Sequence, residues 1–322
     1  MSILPKDSFN CPYLILAPLQ GVGDRIFHKA IASVGGFNEA VTDFLRVPLN
    51  AHVKSLARSY CSDGIAPIPL AAQIMGSDPQ LMAAMANELE KRGAPRIDFN
   101  CGCPSNTVTG RGAGSTLLKN PDLLHANAKA IVQSVSIPVT LKMRAGYKDT
   151  SLFKENLFAA QESGISYLTL HPRTKVDGYK APANWDLIAE AKNLLRIPIV
   201  GNGDIFSVAD ALRMLSHTKC DALMIGRGSL VNPFIFHQIR SHFAKKIYEV
   251  STENIYQFIH IYLQHIPAKM PKKTKINKMK QLMSFLFQSS PQLLSRRQAM
   301  LTKAARDLDS FLRFALPLFL KS

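Results

Sequence analysis

Eight short apolar, β-branched runs recur along the first 240 residues at intervals averaging about 30 residues, the length of a repeated strand–helix unit. They are Leu14–Pro18, Ala40–Phe44, Pro69–Ile74, Arg96–Cys101, Pro138–Arg144, Tyr167–His171, Pro198–Gly203 and Ala222–Arg227. Helix-like stretches lie between them, among them Asp78–Arg92, Pro121–Ser134, Leu152–Ser163, Trp185–Leu195 and Ser207–Ser216. Several open on capping or first-turn residues: Ser77, Asp78 and Pro79; Asn120 and Pro121; Asn184. Eight units in about 230 residues predict an α/β fold of the (β/α)8 (TIM) barrel type. A doubly wound sheet normally has fewer strands. It would also need a third glycine after its first strand, where this chain has only the Gly21–Gly23 pair.

The rhythm stops near His242. Ile255–Ile266, Thr274–Phe287 and Ser295–Phe314 read as helices, set apart by Pro267 with Pro271 and by Pro291. The expected division is a barrel over 1–241 and a small, basic, all-helical domain over 242–322. Charge divides the same way. Of the net +16, residues 241–322 contribute +10, from 14 Lys/Arg against 4 Asp/Glu. A basic module on a nearly balanced body suits a polyanionic partner, nucleic acid ahead of an anionic membrane, with a merely solvated basic face as the alternative. The most apolar stretch, Phe311–Leu320, is interrupted by Arg313 and Pro317 and falls far short of the ~20 residues of a membrane span. The start, MSILPKDSFN, lacks the basic flank and cleavage site of a secretory signal. Five cysteines, an odd number without CxxC, argue against a disulfide framework or a structural zinc site. A cytoplasmic protein without metal or membrane partner is the expectation.

Side-chain parity within the strands carries the chemistry. Thr140, Lys142 and Arg144 share one face of their strand, and Asp98 with Asn100 share one face of theirs. The apolar residues of opposite parity should face the helices, which puts the polar sets inside the barrel. A buried Lys142 needs an anion, either Asp98 or a bound ligand. The seventh and eighth runs end in GNGD (Gly201–Asp204) and GRG (Gly226–Gly228), at the usual phosphate site of this barrel. Asn202, Gly203, Asp204, Gly226 and Arg227 are the candidates there, with Arg227 a fork-shaped cation. His171, beside Arg173 in HPRT, and Gln73 each end a strand where a ligand contact is expected. An amide such as Gln73 can both donate to and accept from a ring. A long Gly/Ser/Thr loop, Cys101–Leu118, follows the fourth run and carries Cys103. A free thiol is roughly 97% protonated at neutral pH, so Cys103 can give a proton as well as attack.

The residues APLQGV (Ala17–Val22), QIMG (Gln73–Gly76), DFNCGCPS (Asp98–Ser105), LKMRAG (Leu141–Gly146), HPRT, GNGDI and MIGRG resemble, in order, the motifs of the tRNA-dihydrouridine synthases. The resemblance covers the barrel, about three quarters of the chain. VTDFLRV (Val41–Val47) and KTKINKMKQLMSFLF (Lys273–Phe287) further resemble the bacterial C-type enzyme, which acts on uridine 16 of the D-loop. One departure is Leu19, where the family more often has Met; a leucine still packs against a flavin ring.

The resemblance implies FMN in the barrel mouth, NADPH as reductant, and reduction of the C5–C6 bond of a tRNA uridine. It places Pro18, Leu19 and Gln20 along the flavin, Gln73 at the ring edge, Lys142 near flavin N1 and His171 near the flavin and its phosphate tail. Asn202–Asp204, Gly226 and Arg227 fall at the phosphate, and Asn100 faces the substrate base, with Arg144 and Arg173 beside it. Reduced flavin would supply the anion that Lys142 requires. Hydride would pass from flavin N5 to uracil C6, and Cys103 would protonate C5 from the opposite face. A uridine must leave its stack to reach a barrel mouth. Lys272, Lys273, Lys275, Lys278, Lys280, Arg296 and Arg297 are the candidate contacts to the D-loop and elbow phosphates of tRNA, and a monomer is expected. Alternatives are the same chemistry at another D-loop uridine, a small-molecule FMN barrel reductase, or an RNA-binding protein on a degenerate barrel.

Overall fold

In a computed structural model, which describes residues 3–105, 112–286, 288 and 291–320, all eight runs form parallel strands. They are β1 (Tyr13–Leu16), β2 (Glu39–Val41), β4 (Leu70–Met75), β5 (Ile97–Cys101), β6 (Val139–Gly146), β7 (Leu168–Thr174), β8 (Ile199–Asn202) and β9 (Ala222–Ile225). Each pairs with the next in this order, and β9 returns to β1 with Leu14 opposite Leu223, so the sheet closes on itself. Closure leaves none of these strands an open edge, and the chain is a (β/α)8 barrel. A further strand, β3 (Leu45–Arg46), lies against β4 outside the ring of eight. Two residues are too short for alternation to reveal.

Period-2 alternation fills the barrel. Ile15, Ala17, Val41, Ala71, Tyr167, Val200, Ala222 and Met224 pack together, joined by Leu4 from the segment ahead of β1. The opposite parity (Leu14, Leu16, Phe99, Leu141, Leu170) is fully buried too, as expected of a parallel sheet covered by helices. Two of these helices begin where capping residues predict: Asp78 accepts from Leu81 N (2.9 Å) ahead of α3 (Pro79–Lys91), and Asn120 from Leu123 N (3.0 Å) ahead of α4 (Pro121–Ser134), whereas the helix Asp186–Leu194 has Trp185, and not the expected Asn184, at its N-cap.

The chain packs as two compact units. The first is Met1–Pro18 with Phe37–Gly226; the second is Leu19–Gly36 with Arg227–Ser322. The second therefore takes in α1 (Arg25–Val34), whose N-cap Asp24 accepts from Ile26 N and Phe27 N. Its other helices are α8 (Arg227–Val231), α9 (Ile235–Phe243), α10 (Thr252–Gln264), α11 (Lys272–Phe285), α12 (Pro291–Thr302) and α13 (Leu308–Leu320). The single helix expected over Ser295–Phe314 is two. Lys280 Nζ donates to Leu301 O (2.8 Å) and Lys303 O (2.7 Å), satisfying carbonyls at the end of α12, and Asp307 accepts from Ser310 N (2.8 Å) to start α13. Among the described residues no helix is long and apolar enough to cross a membrane.

Candidate functional site

The inward polar parity of β4, β5 and β6 forms one buried network. Asp98, fully buried, accepts from Gln73 Nε2 (2.7 Å) and Thr140 Oγ1 (2.6 Å) and pairs with Arg96 (3.3 Å). Arg96 also pairs with Glu39 on β2 and lies over the Tyr167 ring, its guanidinium carbon 5.0 Å from the centroid. Asp98 is thus held by Arg96 and not by Lys142; no hydrogen bond or ion pair joins Lys142 to Asp98 among the described residues. Two carboxylates share one guanidinium here, so deleting that cation strands two buried charges. Arg96→Ala should lower unfolding free energy by about 3–5 kcal/mol, read from urea midpoints. Arg96 and Glu39 were missed in the sequence. The signal was available, since Arg96 has the same parity as Asp98 and Asn100.

Lys142 lies opposite Asn100 on β5 and Thr169 on β7, so the three side chains share the barrel's inner face. Its ammonium has no hydrogen-bond or ion-pair partner among the described residues, and buried Thr169 Oγ1 likewise has none. Burial, helped by the like charge of Arg144, pulls the Lys142 pKa down to about 8. Burial without a bonded counter-ion accounts for that direction and makes Lys142 a candidate contact for an anionic ligand.

Cys103 follows β5 on a loop anchored by Asn100, whose Oδ1 accepts from both Gly102 N and Cys103 N at 2.9 Å. The thiol is 8% exposed and packs against Met75, Ala113 and Phe44. Burial pushes its pKa up, opposed by an amide at Ser105 and by Arg144 and Lys142, so it carries its proton at neutral pH. Arg144 ties three carbonyls together: Gly102 O (3.0 Å), Thr174 O at the end of β7 (2.9 Å) and Gly178 O (2.9 Å). Its guanidinium also lies over Tyr179, 5.2 Å from the ring centroid. Residues 106–111 of the predicted Cys101–Leu118 loop lie outside the described residues.

Across the barrel, His171 Nδ1 contacts Asn202 Oδ1 (3.2 Å) and its Nε2 faces an Arg173 nitrogen (3.2 Å). Asn202 Nδ2 donates to Met224 O (2.8 Å), leaving Oδ1 to accept, so the histidine proton sits on Nδ1. Burial and the cations Lys142, Arg144 and Arg173 drive the His171 pKa well below 6.5, which makes it neutral. Arg173 pairs with Asp204 (2.5 Å), which sits at φ 54° after Gly203 at φ 121°. The chain turns sharply there, and a Cβ on Gly203 would come within 3.3 Å of Ala183 Cβ.

Pro18 and Gly226 belong to the barrel unit; Leu19, Gln20 and Arg227 belong to the second unit. The basic residues of the tail divide sharply. Lys278 pairs with Asp24, Lys275 donates to Ala268 O (2.9 Å), Lys280 caps α12, and Arg297 donates to Leu286 O (3.1 Å). Lys272 and Lys273 are exposed at the start of α11, and Arg296 is half-buried.

A (β/α)8 barrel with a lone ammonium inside and a protonated thiol on a loop after a strand is built as an enzyme. Residues 15–310 match the family described as Dihydrouridine synthase (Dus), and the chain belongs to that family. Among similar proteins is the tRNA-dihydrouridine(16) synthase of Neisseria meningitidis serogroup B, 36% identical over 237 residues, 71% of each chain. That of Ralstonia nicotianae is 33% identical over 290 residues, 87% of this chain and 88% of its own. Among solved structures, histamine dehydrogenase from Rhizobium sp. 4-9 superposes with TM-score 0.56 at 14% identity over 78% of this chain. This chain spans about half, 49%, of that larger protein. The old yellow enzyme homologue from Zymomonas mobilis gives 0.52 at 12% identity, covering 77% of this chain and 92% of its own. Both likenesses are of fold.

Proposed function

We propose that this chain is an FMN-dependent tRNA-dihydrouridine synthase that uses NADPH to reduce the C5–C6 bond of a D-loop uridine, at position 16. The observation that carries the reading is Cys103: a buried, protonated thiol on a loop held by Asn100 at the end of an inward polar strand face. The relatives named for uridine 16 support the position.

The residues present fit a flavin. Lys142 and Thr169 offer an ammonium and a hydroxyl without partners among the described residues to an anionic ring system, and the phosphate would fall at the turn that Gly203 makes at φ 121°. Pro18, Gln73, Lys142, His171, Asn202, Gly203, Asp204 and Gly226, all of the barrel unit, would hold the group. FMN, when bound, supplies the hydride for uracil C6. Cys103 Sγ gives its proton to C5, and the thiolate left behind is stabilised by Arg144 and Lys142, whose charges oppose the upward push of burial on this thiol. That thiolate regains a proton from solvent before the next turnover. Neutral His171 adds no charge to the pocket, leaving Lys142 as the cation that answers the flavin. Asn100, Arg144 and Arg173 would meet the substrate base, and Lys272 and Lys273, exposed at the start of α11, would meet tRNA phosphates.

A mass-spectrometric map of dihydrouridine in tRNA from cells lacking the gene tests this. Loss confined to position 16 is expected. Loss at another position would keep the chemistry and overturn the position, and an unchanged map in cells without a compensating relative would overturn the synthase.

A further inference from the structure

Among the described residues no hydrogen bond joins Asp98 to Cys103, yet an unbroken series of hydrogen bonds leads from one to the other. A carboxylate only accepts. Gln73 therefore turns its NH2 group to Asp98 Oδ2 (2.7 Å), which leaves Gln73 Oε1 facing Asn100. Asn100 must then donate, Nδ2 to Oε1 at 2.8 Å, and this leaves Asn100 Oδ1 to accept from the Gly102 and Cys103 amides. The other Asp98 oxygen is held by the single proton of Thr140 Oγ1, whose lone pair in turn takes an Arg96 hydrogen. Glu39 shares that arginine.

We propose that Asp98 is a positioning residue: it sets the direction of the Gln73 and Asn100 amides in series, and so presents an acceptor to the backbone of the Cys103 loop. The proposal rests on the reading of Cys103 as the reactive thiol. An amide at position 98 can donate to Gln73, which lets Gln73 and then Asn100 turn end for end. The NH2 of Asn100 would then meet the N–H groups of Gly102 and Cys103, donor against donor, and the loop would open. This explains why a fully buried position carries a charge where an apolar side chain of the same size would avoid desolvation. The Glu39–Arg96 pair at the start of the strands thereby reaches the thiol beyond their ends without touching it.

The test is a double-mutant cycle read by alkylation of Cys103 in the purified full-length chain, with iodoacetamide, quantified on the Cys103 peptide. Asp98→Asn should speed alkylation about tenfold, since an unmade hydrogen bond to a buried donor is costly. Gln73→Glu, which sets an acceptor against the Asp98 carboxylate, should do the same. With both substitutions the amide now at position 98 donates, and the carboxylate now at position 73 accepts from both sides. The double variant should therefore return to within about threefold of the starting rate. Single variants that alkylate at the original rate, or a double variant as fast as the singles, would overturn the proposal. Should Asp98→Asn fail to fold, adding it to Gln73→Glu must still slow alkylation. Accessibility of the thiol is read without turnover, so this outcome is separate from that of Cys103→Ala, which tests the reaction itself.

Discussion

Cys103→Ala should slow uridine reduction by about 10²–10⁴-fold, the usual contribution of a positioned general acid. Flavin content and the rate of flavin reduction by NADPH should stay near wild type, because the proton is needed only when the uridine is reduced. Anaerobic stopped-flow separates the two: the flavin bleaches normally with NADPH and then recolours slowly when tRNA is added. The small size of the change favours a clean result. Cys103 fills a pocket with Met75, Ala113 and Phe44, and alanine keeps the same backbone bonds to Asn100. A variant that recolours at the wild-type rate would remove Cys103 from the reaction.

Lys142→Met should weaken flavin binding by about 10- to 100-fold, since a hydrogen bond to a charged group contributes ~1.5–3 kcal/mol. The pH dependence gives a sharper signature. With its pKa near 8, Lys142 is charged below that pH and neutral above it. Affinity for flavin, measured by fluorescence quenching on the flavin-free protein, should therefore fall as pH rises through 8, and in the methionine variant this dependence should vanish. Stability moves the opposite way. The folded pKa is below the unfolded value of 10.5, so between about 8 and 10.5 the unfolded chain binds more protons and wild-type stability rises with pH. The flavin-free methionine variant should lose that rise and be the more stable protein at neutral pH. An affinity that is flat from pH 7 to 9 in wild type would show that Lys142 does not meet the ligand.

Much of this site was legible because a strand reports its two faces directly. Alternation alone placed Asp98, Asn100, Thr140, Lys142 and Arg144 inside the barrel, and all five have inward-facing register partners. What stayed hidden depended on distance along the chain. Nothing local in Glu39 announces an ion pair with Arg96, 57 residues away. The break between α12 and α13 falls in a stretch, KAARD, whose propensities are helical, and it is made by a lysine more than twenty residues earlier. The same limit applies to Lys278. By composition it is one more cation in a basic tail, but packing commits it to Asp24 at the cap of α1.

The allegiance of Leu19–Gly36 to the second unit bears on the order in which the chain can be completed during synthesis. The bonds that hold this stretch come late: His237 to Val34 O, Arg240 to Gly36 O, Lys278 to Asp24 and Gln281 to Gly21 O. An emerging chain must carry α1 with its apolar face (Ile26, Phe27, Ile31) uncovered until more than 200 further residues have been made. Premature termination ahead of Gln281 therefore harms the first helix of the protein as well as the last. A nascent chain stalled after β9 would own every strand of its barrel and still be a client for chaperones.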